Sequence, residues 1–314
     1  MELIRGHHNL RPRHRGCALT IGNFDGVHRG HQAIIRQLRQ AARERQLPTA
    51  LLTFEPQPQE FFSRDIRPPR LTRLREKLAL LADTGLDRVM CLHFDARLAA
   101  TPADAFIDQL LVGGLGIHYL LVGDDFRFGH RGQGNIETLR EAAPRHGFSV
   151  ARLDTFRLLD GRVSSSRIRE HLARGELDTA TTLLGRHYAI TGRVRHGDRL
   201  GRQLGFPTAN VDLGRRTTAL HGVFAVRVHG LDNGPRPAMA NVGTRPTVSG
   251  LEPRLEVHLF DFSGDLYERL LTVEFLHRTR PEQRFTSVAE LKAQLQRDAT
   301  AIRQWLATHA PTVP

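Results

Sequence analysis

Cysteine is nearly absent from these 314 residues: only Cys17 and Cys91 occur, both inside apolar runs. Two thiols cannot build a disulfide framework, and their apolar settings mark them as reduced core residues. Lysine is equally scarce, at Lys77 and Lys292 alone, so the formal net charge of +12 is carried by arginine. Aromatics make up 6% of the chain, and the arginines are scattered. A single-strand nucleic-acid binder needs a basic stripe interleaved with stacking platforms, and neither is present. Arginine suits polyanionic small ligands equally well, because its planar fork holds phosphate bidentately. No stretch approaches the roughly 18 consecutive apolar residues of a membrane span, and the N-terminus lacks the apolar core of a signal peptide. Repeats and low-complexity segments are absent too. The expected setting is the cytoplasm, with no membrane, no nucleic acid and no obligate protein partner.

What is present reads as an ordinary globular chain, 40% hydrophobic and 25% charged, long enough for two domains. The first half alternates strand-like runs (18–21, 50–54, 88–92, 119–122, 149–153) with helical stretches (32–45, 73–83, 102–111, 136–146). Such alternation implies βαβ units and a mostly parallel sheet with ligands at the carboxyl ends of its strands. Residues 164–184 keep a helical period, which Gly185 ends. Beyond it the period becomes two (188–194, 223–228, 238–242, 255–260, 271–275), as in a compact antiparallel barrel or sandwich. The chain closes with an amphipathic helix whose inward residues are Val288, Leu291, Leu295, Ile302 and Leu306, with Ser287 and Glu290 as its capping box. The domains are therefore expected at 1–184 and 185–314.

The most informative stretch is Thr20-Ile21-Gly22-Asn23-Phe24-Asp25-Gly26-Val27-His28-Arg29-Gly30-His31, at the carboxyl end of the first predicted strand. Glycines let the backbone turn sharply. His28 and His31, three apart, share a face at the start of the next helix. A helix N-terminus presents free N–H groups and a positive dipole end, which suits phosphate. Two imidazoles there can donate to phosphoryl oxygens as charge develops. Asp125, in Gly123-Asp124-Asp125-Phe126-Arg127-Phe128-Gly129, can accept from a ribose or amide, and Phe126 and Phe128 can wall a ring. Arg162-Val163-Ser164-Ser165-Ser166-Arg167-Ile168-Arg169 puts three hydroxyls among arginines at a helix start, more than a cap requires. Gly192 to Asn210 holds four glycines before Phe206-Pro207-Thr208-Ala209-Asn210 but lacks P-loop spacing.

The first of these strings resembles the nucleotidyltransferase superfamily, and in its longer form the bacterial bifunctional riboflavin kinase/FMN adenylyltransferase (FAD synthetase) family. The Gly123–Gly129, Arg162–Arg169 and Leu52–Pro58 segments resemble further signatures of that family, with Gln57 where the family has histidine. Gly192–Asn210 resembles its riboflavin kinase signature along the whole length. Leu255-Glu256-Val257-His258-Leu259-Phe260 resembles the strand bearing the kinase's catalytic glutamate. Asn241–Thr247 and the segment from Arg280 resemble two more kinase segments. Asp265-Leu266-Tyr267 is followed by Glu268, where glycine is usual.

The resemblance implies a Rossmann-like α/β parallel-sheet nucleotidyltransferase domain, then a small antiparallel β-barrel domain with a C-terminal helix. It implies riboflavin, FMN, FAD and ATP as ligands, with Mg²⁺. The implied site residues for ATP and phosphates are Gly22, Phe24, Asp25, Asp125, Arg162, Ser164, Ser165, Ser166, Arg169, Gly192, Gly197, Thr208 and Asn210. Thr208 and Asn210 are also implied to hold the metal. Phe54, Phe126, Phe128 and Arg280 are implied for flavin, and His28, His31 and Glu256 for catalysis. FMN phosphate is already an anionic nucleophile, so adenylyl transfer needs alignment and charge stabilisation only. A ribityl hydroxyl is a poor nucleophile when neutral, and its phosphorylation calls for a base such as Glu256. Two other readings fit parts of the chain. One is a nucleic-acid binder on an old nucleotidyltransferase scaffold, marked by a steep salt slope. The other is adenylylation of a different phosphate ester such as phosphopantetheine, which would leave the kinase signature without use.

Overall fold

Six strands of the first half form one sheet: β1 (Glu2–Arg5), β2 (Ala18–Ile21), β3 (Thr49–Glu55), β4 (Arg88–His93), β5 (Tyr119–Gly123) and β6 (Ser149–Leu153). The computed structural model describes residues 1–63, 68–153, 155–197, 200–214, 217–247 and 250–309. Asp198 and Arg199 of the glycine-rich kinase string lie outside them, as do the side chains of Arg245, Pro246 and Thr247. The strand order is β1–β4–β3–β2–β5–β6, with every neighbouring pair parallel. Both faces are covered. Leu19 and Ile21 join one core layer with Leu52, Leu120 and Val122, while Ala18 joins the other with Ile35, Leu38 and Leu51. This is why these strands read as continuous apolar runs. Burial pushes the Cys17 thiol up to about 12, so it is an inert core residue.

The strand order reverses at β2, the middle of the sheet. β3 and β4 follow on one side and β5 and β6 on the other, so a switch point opens at the carboxyl ends of β2 and β5. Two strings singled out in the sequence, Gly22–His31 and Gly123–Gly129, leave the sheet there. Strand β1 was not expected; its four residues are too few to show a period. The predicted helix 102–111 is instead a short turn, Ala103–Ala105, running into a π-helix, Phe106–Val112. A small hairpin of β7 (Arg157–Leu158) and β8 (Gly161–Arg162) precedes the serine run.

The second half holds β9 (Ala189–Arg195), β10 (Ala209–Val211), β11 (Gly222–His229), β12 (Arg236–Thr247), β13 (Gly250–Leu259) and β14 (Leu270–Arg280). They close into an antiparallel barrel in the order β10–β13–β12–β11–β14–β9, with β9 pairing back to β10. Closure settles the choice between barrel and sandwich. On β11, Val223 and Ala225 pack outward with Ile302 of the C-terminal helix Val288–Thr308. Phe224 and Val226 are fully buried on the opposite face, and the Phe224 ring meets Phe275 edge-on at 5.3 Å.

Two details of that helix differ from expectation. Val288 is exposed, and the buried polar residue of the inner face is Asp298. Ser287 caps Glu290 N as expected, but the Glu290 carboxylate accepts from Thr286.

Backbone contacts divide the chain into two compact units, Met1–Pro68 with Lys77–Ser164, and Pro69–Glu76 with Ser165–Pro314. The helices Ser165–Arg174 and Leu177–Leu184 thus group with the barrel. So does Pro69–Glu76, where the Glu76 carboxylate accepts from Thr191 N at 2.8 Å.

Candidate active sites

The turn after β2 is built from residues in unusual backbone conformations. Phe24 (φ 49°), Gly26 (φ 82°) and Val27 (φ 41°) all occupy the left-handed region. For phenylalanine and valine this conformation survives only where surroundings fix it. Phe24 and Asp25 are both buried. The turn delivers the chain to the helix Arg29–Glu44, whose N-cap is His28. Nδ1 of His28 accepts from His31 N at 3.3 Å. That bond fixes the tautomer and leaves Nε2–H as the donor. The two imidazoles stack with centroids 3.6 Å apart, 15° from parallel, and the Phe24 ring backs His31 at 4.7 Å. The spacing of three therefore brings the histidines together as expected. The capping role of His28 was missed, because histidine is not among the usual N-caps.

A Cβ at Gly30 would stand 3.2 Å from the His28 ring and 3.4 Å from the Val163 carbonyl, so the segment entering the serine run passes beside the histidine pair. Ser164 belongs to the first unit, whereas Ser165, Ser166 and Arg169 start a helix of the second. Arg169 Nε donates to the Pro69 carbonyl at 2.6 Å. Arg162 and Asp125 form an exposed ion pair at 2.7 Å. The Thr155 hydroxyl bonds Asp124 and holds that carboxyl below its ordinary range. Phe126 and Phe128 stack at 5.6 Å beyond β5. Phe54, on the other side of β2, meets Phe94 edge-on at 5.7 Å, and Phe94 in turn touches Phe61 and Phe62. These last three aromatics were not singled out in the sequence; Phe62, 61% exposed, is the visible sign of the cluster.

In the barrel, register makes the site. Asn210 of β10 pairs with Glu256 of β13, which pairs with Asn241 of β12, so the three lie in a row on one face. All three line a cavity of about 330 Å³, with Thr208, Arg254 and Arg280. Arg254 Nη1 lies 3.1 Å from Glu256 Oε1. His258 Nδ1 donates to the Pro207 carbonyl at 2.9 Å, which pins Phe206-Pro207-Thr208 to β13. A second cavity of about 460 Å³, with Asp265 and Tyr267 on its rim, also has Thr208 in its wall. Thr208 immediately precedes β10 and Asn210 lies within it. A Cβ at Gly197 would collide with the Asn210 carboxamide, and one at Gly201 would come within 3.2 Å of Thr208 Oγ1. Gly192 lies within β9, where a Cβ would strike the Asp212 carbonyl, and it lines neither cavity. Arg254 was not singled out in the sequence, whereas Asn241 and His258, read there only within longer strings, take their places in the cavity from β12 and β13.

Arg280 is gripped by Asp298 through three contacts of 2.8–3.0 Å, and Gln294 donates to the same carboxylate. The pair is nearly buried, at 14% and 3% side-chain exposure. Removing one partner of a buried ion pair strands the other, at a cost of about 3–5 kcal/mol. Asp298→Ala is expected to lower stability in urea unfolding by about that amount, and a loss under about 1 kcal/mol would contradict the pairing. Glu268, at the position where glycine is usual in the family, occupies the left-handed region (φ 61°). Its carboxylate meets Arg195 at 2.9 Å and its carbonyl accepts from Arg193. Left-handed backbone costs a non-glycine residue about 1–2 kcal/mol, and an exposed ion pair returns about 0.2–1. Glu268→Gly is therefore expected to be neutral or stabilising by about 1 kcal/mol in thermal unfolding.

A doubly wound unit with a histidine pair at a helix N-terminus, followed by a closed barrel with a carboxylate-bearing cavity, defines a nucleotide-dependent transferase with two chemistries. Residues 10–167 match the sequence model of FAD synthetase, and residues 184–306 that of riboflavin kinase. The Escherichia coli K12 protein named bifunctional riboflavin kinase/FMN adenylyltransferase is 50% identical over 312 residues, 99% of this chain and 100% of its own length. The Pseudomonas fluorescens protein of the same name is 50% identical over 311 residues, 99% of each chain. A Streptococcus pneumoniae protein whose crystal structure is described as that of a macrolide-efflux protein superposes with a TM-score of 0.82. It is 29% identical and covers 97% of this chain and 100% of its own. Among the described residues no helix is long and apolar enough to cross a membrane. The chain belongs to the bifunctional riboflavin kinase/FMN adenylyltransferase family: it phosphorylates riboflavin with ATP to FMN and adenylylates FMN with ATP to FAD.

Proposed function

We propose that the two reactions are divided along the chain, FAD formation in residues 1–184 and riboflavin phosphorylation in residues 185–314. The observation that carries the kinase assignment is Thr208 in the wall of two cavities, with Glu256 lining one of them. Riboflavin occupies the Glu256 cavity and ATP the neighbouring one. Glu256 takes the proton of the ribityl hydroxyl as its oxygen attacks the γ-phosphorus. The bond from that phosphorus to the β-phosphate oxygen breaks, and ADP leaves. Glycines pressed against Thr208 and Asn210 leave room beside a hydroxyl and an amide oxygen, donors that suit a hard cation. Thr208 and Asn210 would hold Mg²⁺ together with ATP phosphates, where it would neutralise charge on the transferring group.

In adenylyl transfer an FMN phosphate oxygen attacks the α-phosphorus of ATP and pyrophosphate leaves. His28 donates from Nε2 and, with His31, stabilises charge on the phosphoryl oxygens. Ser164, Ser165, Ser166, Arg162 and Arg169 serve the outgoing phosphates, with Gly22, Phe24 and Asp25 shaping the turn. Phe54, Phe126 and Phe128 wall the flavin ring, and Arg280 serves the flavin in the kinase. Arg162 and Arg169 serve nucleotide phosphates rather than nucleic acid, and the reactions run in the cytoplasm.

The division is tested with a fragment of residues 184–314, which contains every residue named for the kinase cavity. Given riboflavin, ATP and Mg²⁺, it should yield FMN on chromatography and no FAD from supplied FMN. FAD made by the fragment would overturn the division.

A further inference from the structure

Arginine is the default cation of this chain, yet the fully buried basic residue Lys77 is one of its two lysines. The other, Lys292, is exposed on the C-terminal helix. Lys77 lies on the helix Leu74–Ala82, one turn before Leu81, on the face turned to the core. Its ammonium donates to the Asn23 carbonyl at 2.7 Å and approaches Thr53 Oγ1 at 3.5 Å. Thr53, fully buried near the end of β3, donates its own hydroxyl to the same carbonyl at 3.3 Å. Two donors from two elements thus converge on one peptide oxygen of the glycine-rich turn. A compact ammonium with three donors can reach such a carbonyl from within the core, where a planar guanidinium would need far more room.

The next residue after that carbonyl is Phe24, held at φ 49°, with its ring against His31. His31 stacks on His28, and its backbone N–H bonds the His28 ring. The contacts therefore run without a gap from Lys77 to the histidine pair. We infer that Lys77, with Thr53, is a positioning residue for adenylyl transfer: it locks the Asn23–Phe24 peptide and through Phe24 fixes the two imidazoles. It touches no substrate. The inference rests on the assignment of FAD formation to this turn.

The test uses the full chain and measures FAD formation from supplied FMN, and riboflavin phosphorylation, on each preparation. Lys77→Met keeps length and apolar bulk while removing the donors. It is expected to lower kcat for FAD formation by about 10–100-fold with both KM values changed less than about threefold, the signature of small misplacements in a bound complex. Phosphorylation of riboflavin should stay unchanged. Thr53→Val should lower the same kcat by about 3–10-fold, and Thr53→Ser should restore it. A folded Lys77→Met protein with unaltered kcat, or one whose loss lies wholly in KM, overturns the role. If Lys77→Met also loses kinase activity through misfolding, Thr53→Val decides, and an unaltered rate there overturns the inference. His31→Ala is run alongside. If it too leaves FAD formation intact, the assignment of the turn fails; if only the Lys77 and Thr53 variants are silent, the positioning role fails.

Discussion

Glu256→Gln should reduce riboflavin phosphorylation by roughly 10²–10⁴, the range for loss of a general base. The substitution keeps size and hydrogen bonding and removes basicity. The reason lies in the difference between the two nucleophiles. FMN brings an anionic phosphate oxygen, whereas riboflavin brings a neutral hydroxyl whose proton must go somewhere. Among the cavity residues described, Glu256 sits in the row with Asn210 and Asn241, and Arg254 fixes its carboxylate from the same strand. The KM for riboflavin should change little, because the proton moves only as the bond forms. FAD formation from supplied FMN should stay near normal, and measuring both rates on one preparation controls for misfolding. Phosphorylation within a few-fold of the parent would make Glu256 an ordinary strand residue and send the search to another carboxylate.

His31→Ala should lower kcat for FAD formation by roughly 10²–10³, the scale of losing a donor that stabilises developing charge. Its stacked partner His28 also caps the helix Arg29–Glu44, so His28→Ala adds the loss of a cap, about 1 kcal/mol. His31→Ala keeps the cap, since the bond to His28 uses the backbone N–H. The two variants should therefore differ in urea midpoint while sharing a low FAD rate. Riboflavin phosphorylation should survive both. An unchanged FAD rate in His31→Ala would reduce the pair to a structural feature of the helix start.

How much of this was legible depended on range along the chain. Strand β2 and the helix Ile136–His146 read correctly to the residue, the strand from an apolar run ended by a glycine-rich turn and the helix from its local period. The histidine pair was readable because a spacing of three is itself geometry. The Asn210–Glu256–Asn241 row was not, because cross-strand register couples residues far apart in sequence. Lys77 carried no motif, and its charge hid the fact that it shares a helix face with Leu81. The misread Val288 failed for the reverse reason: an apolar residue in the first turn of a helix fits the inward period without reaching the core. Glu268 left the turn conformation open in the sequence; its backbone is left-handed, and it meets two arginines.

The assignment of Pro69–Glu76 to the second unit bears on how such an enzyme can be rearranged. A gene cut once, at the serine run, would strand this segment in the wrong product. The carboxyl-terminal product would then lack the Glu76 carboxylate, and Thr191 N on β9 would have to find water or another acceptor. A transplanted kinase half is expected to regain stability when a peptide spanning residues 69–76 is supplied in trans. Recombination that exchanges one half between relatives must therefore match that short insert as well as the joint, so the two activities are inherited together more tightly than a simple tandem fusion would require.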